Sequence, residues 1–190
     1  MGDKFKVIVA DPPWAFNDKL TMSDVARGAA ANYSTLDLDA IVALSARELA
    51  AEDAFLAIWC PSSMLVDGLR VMEAWGFSQK GVYTWVKTAG GASGLAFGMG
   101  RYFRGCTEHA LFGVRGKATV GNKSQRNCEL APALPHSQKP PGLQDALEKM
   151  YPGGPWLELF ARRDRPGWTC VGNECPSTPG VDIREWLARP

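Results

Sequence analysis

The sequence lacks three features that would place it in a specialised class of protein. Its five cysteines are an odd number without regular spacing, which excludes a disulfide scaffold and predicts free, inert thiols. Cys170 and Cys175 could be imagined around zinc with His109 and His136, but the spacing matches no structural zinc site, so no metal is predicted. No apolar run approaches a membrane span, and no secretory signal opens the chain. These absences predict a cytoplasmic protein.

The composition is that of an ordinary globular protein. The chain has 190 residues, of which 46% are hydrophobic and 22% charged. A chain of this length can bury one sizeable core but is short for two enzyme domains. We therefore expect a single domain over residues 1–190.

Acidic residues are almost missing from the middle of the chain. Residues 80–126 hold eight Lys or Arg and one acid, whereas residues 1–79 hold six against eleven and residues 127–190 seven against eight. Aromatic side chains lie among these basic groups, and the combination suits a phosphate backbone with unstacked bases. A solvated charged loop would have the same composition, so both interpretations stay open from composition alone.

Short apolar runs alternate with amphipathic segments along the chain. The runs predict buried strands, which are Lys6–Ala10, Phe55–Trp59, Ser78–Val86, Ala110–Val114 and Trp156–Phe160. The helical pattern covers Leu38 to Leu49, Leu65 to Trp75 with a cap at Ser62 or Ser63, Leu143 to Met150 after two prolines, and Asp182 to Ala188. Such alternation predicts an α/β fold, a three-layer α/β/α sandwich with a mainly parallel sheet.

Two segments show neither the apolar pattern of a strand nor the amphipathic pattern of a helix. The glycine-rich stretch from Gly90 to Gly105 predicts a mobile loop that orders on substrate. The polar segment 116–138 has no pattern of either kind.

The tetrapeptide Asp11-Pro12-Pro13-Trp14 directly follows the first predicted strand, where ligands bind in open α/β sheets. The adenine 6-amino group is planar and a poor nucleophile, and a carboxylate with a backbone carbonyl can accept both of its N–H donors and orient its lone pair. Asp11 and the Pro12 carbonyl supply these acceptors, and Trp14 can stack on the base. The alternative is a tight turn that caps a strand, with Trp14 as core packing.

The ordered series of motifs resembles the MT-A family of adenine-N6 methyltransferases over nearly the whole chain. The matching segments are VIVADPPW at 7–14, FLAIWCPSS at 55–63, VYTWVKT at 82–88, FRGCTEHALFGVRG at 103–116, HSQKP at 136–140, ELFARRDRPGW at 158–168 and VGNE at 171–174. The resemblance implies a Rossmann-like class I methyltransferase with permuted motif order, in which the catalytic strand precedes the cofactor strand.

The resemblance also implies roles for individual residues. Asp11 to Trp14 would be the catalytic motif that binds the amine. The cofactor S-adenosylmethionine would contact Asp11, Lys139, Glu158, Phe160, Arg162, Asn173 and Glu174. In this assignment Lys139 meets the cofactor carboxylate, Glu158 the ribose hydroxyls, and Asn173 with Glu174 closes over the cofactor.

The implied substrate is adenine in nucleic acid, DNA rather than RNA, in a bacterial or phage-infected host cell. Tyr33 would lie beside the target base, Lys87 near its pocket, and Arg101, Arg104 and Arg115 on the phosphates. Three alternatives stay open: methylation of RNA adenine, methylation of another amine such as cytosine N4 or a protein glutamine, and a non-catalytic nucleic-acid-binding partner subunit. Whether the chain forms a homodimer also stays open.

Overall fold

The computed structural model describes residues 4–15, 36–44, 46–89, 94–100, 102–135 and 138–188. Within these ranges the strands are β1 (Phe5–Ala10), β2 (Ala50–Cys60), β3 (Ser78–Thr88), β4 (Thr107–Arg115), β5 (Cys128–Pro132), β6 (Trp156–Leu159) and β7 (Trp168–Val171). The helices are α1 (Leu38–Ala43), α2 (Leu65–Ala74), α3 (Gly142–Met150) and α4 (Ile183–Leu187). No helix in the described part of the chain is long and apolar enough to cross a membrane.

The described strands form one seven-stranded sheet in the order β5-β3-β4-β2-β1-β6-β7. β1 pairs in parallel with β2 and β6, β6 with β7, and β3 with β5. Only β4 among them is reversed, because it runs antiparallel to both β2 and β3. The predicted α/β class and mainly parallel sheet are confirmed.

The strands form two cores because alternate side chains point to opposite faces of the sheet. Ile8 and Ala10 of β1 belong to one cluster of buried side chains, which also receives residues of α1, α2 and α4. Val7 and Val9 belong to the other cluster, against which α3 packs with Leu143 and Leu147. Helices therefore pack on both faces of the sheet.

Two predicted helix boundaries are wrong. The helix predicted from Leu38 to Leu49 ends at Ala43, and a short 3₁₀ helix follows at Ala46–Glu48. Neither Ser62 nor Ser63 caps α2, because both lie in a 3₁₀ turn (Ser62–Met64), and no side chain caps α2 at its N-terminus. That turn satisfies backbone donors locally, since the Met64 N–H donates to the Pro61 carbonyl at 2.8 Å.

Two strands were not predicted. β5 lies within the segment that showed no pattern, and β7 follows the turn after β6. β5 is an edge strand whose side chains alternate between exposed and half-buried, which leaves little apolar signal. β7 has only four residues.

The topology brings several chain segments to one edge of the sheet. The carboxyl ends of β1, β2, β3, β6 and β7 all lie there, because these strands run in the same direction. β4 begins at this edge, since His109 pairs with Cys60 at the end of β2 and Thr107 pairs with Val86 near the end of β3. β1 and β6 are adjacent in the sheet, and the strands that follow them in the chain, β2 and β7, lie on opposite sides of this pair, which is the arrangement that leaves a ligand crevice between adjacent strands.

Candidate active site

The motif Asp11 to Trp14 leaves β1 at this edge and is fastened on two sides. The Asp11 backbone N–H donates to the Leu159 carbonyl at 3.3 Å, and the Trp14 indole N–H donates to the Trp59 carbonyl at 2.8 Å. Trp14 is 4% exposed and packs in the core cluster while also contributing to a cavity wall. The structure therefore gives Trp14 a packing role, and stacking on a base stays a prediction.

The carbonyl of Pro12 is available for one further hydrogen bond. It accepts from the Trp14 backbone N–H at 2.8 Å, which uses one of its two lone pairs. The Pro13 carbonyl is engaged by the backbone N–H of Leu36 at 2.9 Å. A second lone pair of the Pro12 carbonyl is thus left by the hydrogen bond from Trp14, and its role as an acceptor for the amine stays a prediction.

Two cavities meet at the motif. The first, which we call the β6–β7 cavity, has a volume of about 310 Å³ and is lined by Asp11, Pro13, Phe160, Arg162, Asn173 and Glu174 among others. The second, which we call the β2–β4 cavity, has a volume of about 760 Å³ and is lined by Asp11, Pro12, Trp59, Lys87, Glu108 and Lys139 among others. Asp11 and Arg162 line both. Both volumes lie in the range of small-molecule sites.

A row of alternating charges crosses the β2–β4 cavity. Lys139 Nζ lies 2.7 Å from Asp11 Oδ2 and 3.5 Å from Glu108 Oε2, and Lys87 Nζ lies 2.5 Å from Glu108 Oε1. Burial alone would lower the pKa of Lys139, but the facing carboxylates of Asp11 and Glu108 more than offset it and leave that pKa raised. Lys139 is therefore a fixed cation beside Asp11.

The β6–β7 cavity has a rigid wall. Phe160, directly after β6, has a φ of 63°, and it is the one non-glycine residue with positive φ in the described ranges. Such backbone strain concentrates at functional sites. The Ala161 N–H donates to the Val171 carbonyl at 3.0 Å, and a Cβ on Gly172 would collide with the Ala161 backbone. The backbones of the loops that follow β6 and β7 are therefore packed directly against each other.

Arg162 and Glu174 form an ion pair at 3.5 Å, and both line the β6–β7 cavity. Four of the predicted cofactor residues therefore line this cavity together with Asp11: Phe160, Arg162, Asn173 and Glu174.

Glu158 is not among the residues that line either cavity. Its Oε1 accepts from Gln144 Nε2 of α3 at 3.3 Å, and its Oε2 is buried without a hydrogen-bond partner in the described part of the protein. Burial raises the pKa of this carboxyl group. The structure thus directs Glu158 toward α3, and its contact with the cofactor ribose stays a prediction.

The predicted substrate residues do not all converge. Lys87 lines the β2–β4 cavity, and Arg104 is exposed in the neighbouring loop, 5.2 Å from the centre of the Phe97 ring. Arg115 pairs with Ala54 at the far end of β4, about 20 Å from the site at the usual rise per residue. The structure does not bring Arg115 to the other candidates. Tyr33 and Arg101 lie outside the described residues.

Glu108 is the site residue that sequence reasoning missed. It is the one acid among residues 80–126, and that isolation was an available signal. Its position beside Lys139 depends on the reversal of β4, which the local sequence does not reveal.

Among the residues that the structure describes, the cysteines and potential metal ligands form no second centre. All five cysteines are free, and burial raises the pKa of Cys60, beside the β2–β4 cavity, to about 12, so its thiol stays neutral. Within the described residues no group of three or more His, Cys, Asp or Glu side chains is placed to hold a metal ion.

Comparison with known proteins gives a consistent family assignment. The Type II methyltransferase M.MunI of Mycoplasma sp. is 30% identical over 190 positions, which cover 91% of this chain and 78% of that protein. The human N(6)-adenosine-methyltransferase catalytic subunit METTL3 is 29% identical over 176 positions, which cover 90% of this chain but 28% of METTL3. A Medicago truncatula protein named a putative N(6)-adenosine-methyltransferase MT-A70-like is 28% identical, with 94% of this chain and 28% of that protein covered.

The chain thus spans about a quarter of the longer relatives. The MT-A70 family profile matches residues 5–174, which include β1 to β7 and every described residue of the two cavities up to Glu174. The predicted family is confirmed: the chain belongs to the MT-A70 family, whose matched members are named methyltransferases.

Proposed function

We propose that this protein transfers a methyl group from S-adenosylmethionine to the exocyclic N6 amine of adenine in nucleic acid, DNA rather than RNA. The observation that carries the proposal is the position of Asp11, whose side chain belongs to both cavities. A group-transfer enzyme needs its two substrates to meet at one point, since alignment supplies much of the rate.

The residues of the β6–β7 cavity fit the chemistry of the cofactor. A zwitterionic amino-acid end needs a carboxylate and a cation side by side. Asp11, which lines both cavities, and Lys139, which lines the adjoining β2–β4 cavity, offer both at 2.7 Å. Phe160 offers an aromatic ring, and Asn173 with Glu174 supplies polar groups in the same cavity. We assign cofactor binding to Asp11, Lys139, Phe160, Arg162, Asn173 and Glu174, with Glu158 near the ribose. S-adenosylmethionine supplies an electrophilic methyl group when bound.

The residues of the β2–β4 cavity act on the amine. Asp11 and the free lone pair of the Pro12 carbonyl accept the two N–H donors and direct the nitrogen lone pair toward the β6–β7 cavity. The methylated nitrogen sheds its proton after transfer, so the site needs no strong general base. The charged group beside Asp11 is Lys139, a cation at 2.7 Å, which is consistent with a site that has no strong general base.

The preference for DNA rests on two supports. The chain aligns with 78% of M.MunI, a bacterial Type II methyltransferase, whereas it aligns with 28% of METTL3. Its basic segment 80–126 contributes Lys87 and the loop with Arg104 to the β2–β4 side of the sheet, which favours a polynucleotide over a free nucleoside. The finer assignment of the fold is part of the proposal: one Rossmann-like domain with permuted motif order.

The test is a parallel methylation of random-sequence DNA and RNA with labelled cofactor, followed by digestion to nucleosides and identification by mass. We expect N6-methyladenine from DNA and none from an Asp11→Ala variant of unchanged thermal stability. N6-methyladenosine from RNA alone would replace DNA by RNA, and N4-methylcytosine would refute the adenine assignment. Absence of saturable S-adenosylmethionine binding by calorimetry would instead indicate a non-catalytic partner subunit.

A further inference from the structure

The segment between β3 and β4 exposes an unusual number of large apolar side chains. We call its described residues, 94–100 and 102–105, the aromatic loop. The exposed fractions are 60% for Leu95, 81% for Phe97, 87% for Met99, 85% for Tyr102 and 89% for Phe103. Five large exposed apolar side chains within one short loop of a folded protein indicate a binding surface.

The backbone of the aromatic loop is fixed by its own hydrogen bonds. Ala96 N–H donates to the Lys87 carbonyl at 2.8 Å, and Gly98 N–H donates to the Gly105 carbonyl at 3.1 Å. A Cβ on Gly98 would collide with that same carbonyl, so the two arms approach as closely as backbone allows. These hydrogen bonds therefore order the backbone that carries the exposed apolar side chains.

The aromatic loop is also a wall of the β2–β4 cavity. Met99, Tyr102 and Phe103 line that cavity together with Asp11 and Pro12. A ligand that occupies this cavity with its reacting group at Asp11 therefore lies beside these side chains.

The charge of this surface selects among partners. Residues 94–105 contain no acid, and Arg104 lies 5.2 Å from the centre of the Phe97 ring. The nearest acid in the sequence, Glu108, is held by Lys87 and Lys139. Exposed rings beside cations complement bases joined by phosphates, because each base offers a π-face and each phosphate a negative charge.

We propose that the aromatic loop is a stacking platform for unpaired bases on either side of the target nucleotide. The inference rests on the proposed function for the identity of the reaction but concerns a separate binding step. It assigns single-stranded or locally opened nucleic acid as the form that the site accepts.

The test measures binding of a labelled oligodeoxythymidine by fluorescence anisotropy, with the full chain and no cofactor. Oligodeoxythymidine contains no adenine, so the readout does not depend on methyl transfer. We expect Phe103→Ala and Phe103→Leu to weaken binding on the order of tenfold, and Phe103→Trp to preserve it, because a ring and not merely an apolar side chain is required. The matched control is Leu130→Ala on β5, which removes a side chain that is 71% exposed and should leave binding unchanged.

Three outcomes would overturn the inference. Wild-type binding by Phe103→Leu would show that no ring stacks on a base. An equal loss in Leu130→Ala would show that the effect is not specific to the loop. Unchanged binding by Phe103→Ala, together with loss of a dimer in sedimentation, would identify the loop as an interface between copies. If methyl transfer fails but the ring requirement holds, only the proposed function is refuted. If methyl transfer occurs but binding requires no ring, only the stacking platform is refuted.

Discussion

The two cavities that share Asp11 differ in how they are built. The β6–β7 cavity is the smaller, and its wall consists of closely packed backbone around Phe160 and Gly172. The β2–β4 cavity is more than twice as large, and its wall includes the exposed aromatic loop and a row of four charged side chains. A rigid cleft suits a small ligand of constant shape, whereas an open, charged cavity suits a polymer whose sequence varies. Variants that affect one cavity more than the other test this difference.

The largest effect should come from the residue common to both cavities. Asp11→Asn keeps the size of the side chain but removes the charge that pairs with Lys139 and that, in the proposed function, accepts the amine. We expect methyl transfer to fall on the order of 100- to 1,000-fold, measured with saturating substrates. Glu108 stays beside Lys139, so the fold should persist.

The matched control for Asp11→Asn is Asp39→Asn, an exposed acid on α1. It should leave methyl transfer unchanged. Wild-type turnover in Asp11→Asn would show that the shared carboxylate does not act on the reaction.

A smaller effect should follow the loss of the cation beside Asp11. Lys139→Met removes the charge-assisted contact that we propose to the cofactor carboxylate, and a hydrogen bond to a charged group is worth about 1.5–3 kcal/mol. We expect S-adenosylmethionine to bind roughly 10- to 100-fold more weakly by calorimetry. Lys149→Met, an exposed lysine on α3, is the control and should bind normally. If Lys139→Met weakens only oligonucleotide binding, Lys139 belongs functionally to the β2–β4 cavity alone.

A smaller change, in the salt dependence of oligonucleotide binding, is expected when Glu108, which pairs with both Lys87 and Lys139, is neutralised. Glu108→Gln frees Lys87, whose Nζ lies 2.5 Å from the carboxylate, to contact a phosphate. The slope of log affinity for an oligonucleotide against log salt concentration should therefore steepen by about 0.7–0.9. Cofactor affinity should change little, because Asp11 still holds Lys139. An unchanged salt slope would mean that Lys87 does not face the nucleic acid.

The smallest expected effect is on the pH dependence of stability and concerns Glu158, which accepts a hydrogen bond from Gln144 of α3. Burial raises its pKa, so the folded protein keeps this proton to a higher pH than the unfolded chain, and ionisation destabilises the fold as the pH rises. Glu158→Gln should therefore lose less stability than the wild type as the pH rises above the unfolded-state pKa of a glutamate, measured by chemical unfolding.

Glu148 provides the opposite sign as an internal control. The hydrogen bond from Arg165 lowers the pKa of Glu148, so its contribution to stability is present above the unfolded pKa and is lost as the pH falls. Glu148→Gln should remove that loss at acid pH. If the two variants changed the pH dependence in the same direction, the burial of Glu158 would not be the cause.

The sequence predicted the interior better than the edges. β1 and β2 each contain a continuous buried run, residues 7–10 and 54–60, and both strands were predicted from these runs because apolar residues without polar interruption have few other places in a fold. β5 and β7 are short, and β5 pairs on one side only, so neither carries a pattern that stands out from a loop. Helix ends at Ala43 and Met64 were mispredicted because capping depends on the path of the preceding turn.

Part of the candidate site followed from the sequence and part did not. Asp11 and Pro12 were predicted because their acceptors and rigid backbone suit an amine at the end of a strand. Arg104 and Arg115 looked equivalent along the chain, yet β4 carries Arg115 to the opposite edge of the sheet. Glu108 was overlooked because the local sequence does not show the direction of β4. β4 starts beside the carboxyl ends of β2 and β3, and this places Glu108 at the site.

The sequence by itself determined the family and the α/β class, and it predicted the acceptor chemistry at Asp11, because these depend on residue types in a local order. Only the tertiary structure decided that Lys139, Glu108 and Lys87 form one row with Asp11, and that Arg162 borders both cavities. Strand direction and neighbour order arise from long-range pairing, which local patterns of apolar and polar residues do not specify.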